Sequence, residues 1–228
     1  MNDGRRLAYL EALGVDAYVR RALPPATTVA LAPEASLDWE PLREMVSACT
    51  RCTLHETRTQ AVFGVGNPSA RWMFIGEAPG AEEDRQGEPF VGRAGQLLTS
   101  MLKALGFARE DVYIANVLKC RPPGNRDPKP AEALQCRGYL ERQIELVAPK
   151  LIVAVGRIAA HNLLATDTAL ARLRGKVHAL GPHGWPLVVT YHPAYLLRSP
   201  GEKRKVWQDL LFARQVFARI EAGERVVS

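Results

Sequence analysis

Trp72-Met73-Phe74-Ile75-Gly76 is an unbroken apolar run that stops at a glycine. No polar residue alternates with the apolar ones, so a strand built from it would be covered on both faces. Residues 112–117, 151–155 and 187–191 have the same character. Between these runs the apolar period changes. Leu97, Leu98, Met101, Leu102 and Leu105 make one helical face, closed by Gly106. Leu134, Leu140, Ile144 and Val147 make another, with Pro130 suited to its first turn. Ala159, Ala160, Leu163 and Leu164 make a third, and Val206, Leu210, Ala213, Phe217 and Ile220 a fourth. Strands alternating with helices predict a three-layer α/β/α sandwich around a mostly parallel, four-stranded central sheet.

Upstream of this core, Ser36 or Asp38 can cap a helix carrying Leu42, Met45 and Val46 toward Cys49. Earlier still, Leu7, Leu10 and Leu13 fall at helical spacing before Gly14, and Pro24-Pro25 and Pro33 mark a Pro-rich stretch. The chain therefore divides into residues 1–37, a short helix plus Pro-rich linker or arm, and residues 38–228, one sizeable α/β domain.

The 228 residues are 47% hydrophobic and 24% charged, which excludes disorder throughout. The apolar runs are far shorter than the roughly 20 residues a bilayer span needs. After Arg5 and Arg6 the apolar stretch 7–10 is ended by Glu11, too short for a secretory signal. A cytoplasmic protein without membrane attachment, acting as a monomer, is the expectation. The formal charge of +6 is a mild bias toward polyanions. Four cysteines are present: Cys49 and Cys52 as C-x2-C, then Cys120 and Cys136. In a reducing compartment two well-separated pairs suit a four-thiolate metal or iron–sulfur site better than disulfides. Spacing alone leaves zinc and iron–sulfur equally open.

In open parallel sheets the ligand crevice lies beyond the carboxyl ends of the strands. The first exit carries Gly76-Glu77-Ala78-Pro79-Gly80 and then Glu83, the second Asn116 and Lys119-Cys120-Arg121, the third Gly156-Arg157, the fourth His192-Pro193. Taken singly, Glu77 reads as a cap or ion-pair partner, Asn116 as a turn residue and His192 as a solvated loop histidine. Together a carboxylate, an amide and an imidazole on one rim suit hydrolysis at a polar ring.

These residues carry a family resemblance. The segment 76–80 with Glu83-Asp84 and Gly87-Glu88-Pro89-Phe90-Val91-Gly92 resembles the first motif of family 4 uracil-DNA glycosylases. Asn116-Val117-Leu118-Lys119-Cys120-Arg121-Pro122-Pro123 resembles that family's second segment, and His192-Pro193-Ala194-Tyr195-Leu196-Leu197-Arg198 its last motif. The resemblance covers about residues 38–220. It implies a DNA-repair enzyme that flips uracil out of single- or double-stranded DNA and hydrolyses its glycosidic bond. It also implies a four-iron–four-sulfur cluster on Cys49, Cys52, Cys120 and Cys136, with zinc the alternative. Glu77 and His192 are then the catalytic pair. Asn116, Phe90, Glu83 and Gly76 form the uracil site, with Phe90 stacking on the base, Asn116 reading its edge and Glu83 bordering its C5 side. Leu196 and Leu197 are the candidate wedge, and Arg198, Arg121, Lys119, Arg126, Lys129 and 203–205 the candidate phosphate contacts. A sister family bonds covalently to uracil-containing DNA; position 78 is Ala where its members have Gln, and the loop 122–128 lacks their basic insert. Turnover rather than a stable adduct is expected.

Overall fold

Along β2 (Trp72–Gly76) side chains alternate between two apolar layers: Trp72 and Phe74 enter one core, Met73 and Ile75 the other. This is the two-sided burial that an unbroken apolar strand requires, and all five residues are buried. The computed structural model describes residues 33–227. The helix expected over residues 7–13 and the proline pair at 24–25 lie outside them.

The sheet has six strands, not four, in the order β1-β3-β2-β4-β6-β5. The expected four are β2, β3 (Tyr113–Asn116), β4 (Leu151–Val155) and β6 (Trp185–Thr190), and all run parallel. The two additions are antiparallel edges, β1 (Val65–Gly66) against β3 and β5 (His178–Leu180) against β6. Both escape a periodicity reading. β1 has two residues; it lies tight on β3 because Gly66 adopts φ 116, and a Cβ there would collide with the Val112 carbonyl. β5 is a three-residue strand joined to β6 by the Gly181–Gly184 turn.

The helices are α1 (Trp39–Ser47), α2 (Ala81–Gln86), α3 (Arg93–Leu105), α4 (Pro130–Val147), α5 (Arg157–Leu164), α6 (Leu170–Leu173), α7 (Pro193–Arg198) and α8 (Lys203–Glu221). Asp38 caps α1 through Oδ1, which accepts the Trp39 N–H at 3.0 Å, and Gly106 ends α3 at φ 89. Helices α3 and α8 cover the Trp72 face, while α4, α5 and α6 cover the Met73 face. The three-layer sandwich is thus formed. One position departs from expectation: Leu134, assigned to the buried face of α4, is 66% exposed, and Ala133, Cys136, Leu140, Ile144 and Val147 fill that face instead.

A 3-10 turn over Pro33–Ser36 packs on α4. Its Glu34 is buried and takes two hydrogen bonds of 2.9 Å from the Arg51 guanidinium. Gly138, in the middle of α4, makes room for that carboxylate; any side chain there would meet it.

Candidate active site

Register brings the first two strand exits together. Gly76 and Asn116 are Cα partners across the β2–β3 pair, and Val155 and Thr190 are partners across β4–β6. Glu77, Asn116 and His192 therefore leave the sheet on one edge. With Glu83, Phe90 and Arg198 they line a single cavity of about 450 Å³. Gly76 sits behind the cavity rather than in its lining. A Cβ at that position would run into the Phe90 ring and Asn116 Oδ1, so the glycine is what lets ring and amide meet.

Phe90 has φ 56, a left-handed conformation uncommon for a bulky residue and concentrated at functional sites. Three contacts fix it there. The Arg109 guanidinium donates to the Pro89 carbonyl, and Gly95 in α3 leaves space for the Phe90 carbonyl. Glu83 supplies the third. Its Oε1 accepts from the Val91 and Gly92 N–H groups at 2.9 Å each, and its Oε2 from the Gly80 N–H at 3.1 Å. Both oxygens are thus committed to the main chain. Glu83 borders the cavity, but its carboxylate serves to fold the segment 80–92 around Phe90. The Phe90 ring ends with its centroid 5.6 Å from the His192 imidazole.

Asn116 is buried, and its Oδ1 has no hydrogen-bond partner within the protein. Most buried polar atoms are paired, and an orphan costs roughly 1–3 kcal/mol. The amide is therefore poised for a ligand that donates to it. His192 caps α7: its Nδ1 accepts the Ala194 N–H at 3.1 Å. An accepting Nδ1 places the ring proton on Nε2. Burial first, and then the Arg198 charge, depress the imidazole pKa to about 4. The side chain is accordingly a neutral donor. Glu77 is displaced in the opposite direction. Burial and the neighbouring Asp127 carboxylate push it up to about 7, against a smaller opposing effect of Arg157.

Asp127 also lines the cavity and pairs with Arg157 at 2.7 Å. This electrostatic setting of Glu77 was not read from the sequence, although both residues follow strand exits. Tyr195 is a further lining residue. Several assignments change. Leu196 is 1% exposed within the core beside α3 and α8, so it cannot reach DNA; on the short helix α7 its neighbour Leu197 is the exposed leucine. Lys119 is fully buried and cannot touch a phosphate. Arg126 is engaged by Glu132 in a two-bond pair at 2.9 and 2.6 Å. Arg121 lies outside the cavity lining, its Nε bonded to Asn125 Oδ1 at 2.8 Å.

Cys49, Cys52, Cys120 and Cys136 are all free thiols and line one small cavity, with Arg51, Lys119 and Tyr139 around it. Arg58 Nη1 donates to Cys120 Sγ at 3.0 Å. Burial pushes the Cys136 thiol up to about 11 and raises Cys120 as well. Four soft donors on one cavity, with the Arg58 guanidinium bonded to one of them, suit a thiolate-held cluster of net negative charge, which spreads its ligands over several irons rather than around one ion. Among the described residues no group of three or more His, Cys, Asp or Glu side chains is placed to hold a metal ion.

Comparison with known proteins agrees with this geometry. The family model of the uracil DNA glycosylase superfamily matches residues 63–211. The chain is 51% identical over 174 residues to a type-4 uracil-DNA glycosylase of Archaeoglobus fulgidus, spanning 74% of this chain and 87% of the relative. It is 46% identical to one of Thermotoga maritima, spanning 75% and 90%, and 42% identical to one of Sulfurisphaera tokodaii, spanning 78% and 84%. The residues matched by the family model run from β1 into α8 and include every strand exit that builds the cavity, so the chain belongs to the uracil DNA glycosylase superfamily, on its type-4 branch.

Proposed function

We propose that this protein is a DNA-repair glycosylase that extrudes uracil from DNA and hydrolyses its N-glycosidic bond, leaving an abasic site. The observation that carries the reading is the unpartnered, buried Asn116 amide beside the Phe90 ring. A flipped base loses its stacking and pairing, a cost of a few kcal/mol. A phenyl face returns roughly 1–3 kcal/mol of it. The amide offers one acceptor and one donor, which match N3–H and O4 of uracil; cytosine presents the opposite pattern along that edge.

Bond cleavage separates charge. As the C1′–N1 bond breaks, its electron pair moves into the uracil ring and onto O2, and the sugar becomes cationic. The Nε2–H of His192 donates to O2. A neutral donor suits this role because it stabilises the anion without first giving up a proton. Water then attacks C1′, its oxygen forming the new bond and its proton passing to Glu77. A carboxylate with a pKa near 7 is matched to accepting that proton at neutral pH. Its charge also faces the sugar cation.

Cys49, Cys52, Cys120 and Cys136 would hold a four-iron–four-sulfur cluster. The all-thiolate donor set and the Arg58 guanidinium on Cys120 suit a cluster of net negative charge, and no three of the sulfurs are gathered as one zinc ion would require. When bound, the cluster supplies a cross-link between the α1 end, the loop after β3 and α4; no bond-breaking step runs through it.

The test is single-turnover release of uracil from single- and double-stranded DNA. Asn116→Ala and His192→Ala are each expected to slow it by roughly 100–1,000-fold, with affinity for undamaged DNA unchanged. Normal excision by both variants, or hydrolysis of free deoxyuridine nucleotides with none of DNA, would remove the reading.

A further inference from the structure

The main-chain carbonyl of Asn116 accepts a hydrogen bond from Lys119 Nζ at 3.0 Å, and the same nitrogen donates to Gln143 Oε1 at 2.5 Å. Gln143 Nε2 donates in turn to the Phe63 carbonyl at 2.9 Å and to Tyr113 Oη at 3.2 Å. Lys119 and Gln143 are 1% and 0% exposed. Lysine is almost never buried without a carboxylate partner, and neither acceptor of Lys119 is one. A group so costly to bury is retained where its hydrogen bonds fix a geometry that apolar packing would leave loose. The geometry fixed here is the end of β3, one peptide from the amide that reads the base. Lys119 also faces the other way. It lines the cysteine cavity beside Cys136, and Cys120 follows it in sequence.

We propose that Lys119, braced by Gln143, is the positioning residue for Asn116, and that through it the wall of the cysteine site is tied to the base-reading edge. The inference rests on the reading of Asn116 given above. Lys119 touches no substrate atom; it acts by holding the Asn116 peptide, and Gln143 anchors that hold to α4 and to β3 itself.

A double-mutant cycle tests it, using the full-length protein with its iron content and visible absorption measured for every variant. Lys119→Met keeps the aliphatic volume and removes the donors. Single-turnover uracil excision should fall by roughly 10- to 100-fold, the size of effect expected when a reacting geometry loosens by about 1 Å. In an Asn116→Ala background the same change should cost less than about twofold, because the side chain it positions is gone. Iron content should stay at the parent level. Gln143→Met, which removes the acceptor instead, serves in the same cycle if Lys119→Met does not fold. The proposal is overturned if Lys119→Met excises at the parent rate, if its cost is equal in both backgrounds, or if its loss of activity tracks loss of iron. Those outcomes leave the base-reading role of Asn116 standing. If Asn116→Ala itself excises at the parent rate, that role fails, and the positioning role fails with it.

Discussion

Glu77 is half-buried at the β2 exit, and its position has a thermodynamic cost. In the unfolded chain the carboxyl ionises near 4.5 and in the folded protein near 7. Between those values the folded state keeps a proton that the unfolded state releases, so stability falls as pH rises and the whole penalty is present above 7. It is on the order of 3 kcal/mol. Glu77→Gln should therefore raise the thermal midpoint at pH 8 and leave it unchanged at pH 4, as differential scanning calorimetry at the two values would register. The same variant should lose the rise of excision rate with pH that levels off above about 7, and drop in rate by roughly 100- to 10,000-fold. A gain in stability paired with a loss of turnover identifies a group kept for chemistry. An unchanged midpoint at pH 8 would mean that the carboxyl is not buried as described.

At the scale of elements, one carboxylate organises the segment between β2 and α3. Glu83 gathers three main-chain N–H groups, those of Gly80, Val91 and Gly92. Glu83→Gln substitutes an N–H for one acceptor and turns it toward a donor. Destabilisation of roughly 1–3 kcal/mol is expected, together with weaker excision through displacement of Phe90 and no change in salt dependence. Urea denaturation and single-turnover rates measure both; retention of both would dissociate Glu83 from the Phe90 loop. This bracket shows where sequence reading stops. Glu83 was legible as a motif residue, but three acids in a row, Glu82, Glu83 and Asp84, give no sign of which turn inward. Leu196 and Leu197 present the same problem on α7: only one can enter the core, and spacing does not choose. The long elements fared better. β2, β4, α3 and α8 declare themselves because each keeps one period over several residues, whereas β1 and β5 depend on glycine geometry and pairing partners far away in sequence. Buried Lys119 gave no signal either, since a lysine in a polar, proline-rich run reads as surface.

Across the whole molecule the net charge of +6 is only modest, so DNA affinity depends on where the charges stand. Arg198 lines the cavity mouth on the exposed side of α7. Arg198→Ala should weaken binding to undamaged and uracil-containing DNA alike and make the salt slope shallower by about 1, while sparing single-turnover chemistry at saturating enzyme. Titrations at two salt concentrations decide it, an unchanged slope placing Arg198 off the phosphates. The cysteine cavity joins three segments that are distant in sequence: the α1 end, the loop after β3, and α4. Protein purified under anaerobic conditions should carry about four irons per chain and absorb broadly in the visible from thiolate-to-iron charge transfer. Cys120→Ala should bleach it and lower the thermal midpoint. A colourless protein with one zinc per chain would replace the cluster with a single ion.

His192 does two things with one ring. Its Nδ1 closes the first turn of α7, which leaves the proton on Nε2, and the ring lines the cavity. A helix of six residues has little stability of its own, so the cap and the helix stand or fall together. The proton location that the proposed chemistry needs is therefore written into the folding of the element that carries Leu197 and Arg198, the proposed DNA contacts. Nitrogen-15 spectra of this single imidazole thus read out the order of α7: one tautomer when the turn is closed, a mixture when it opens. Chemistry is armed only while that helix is wound.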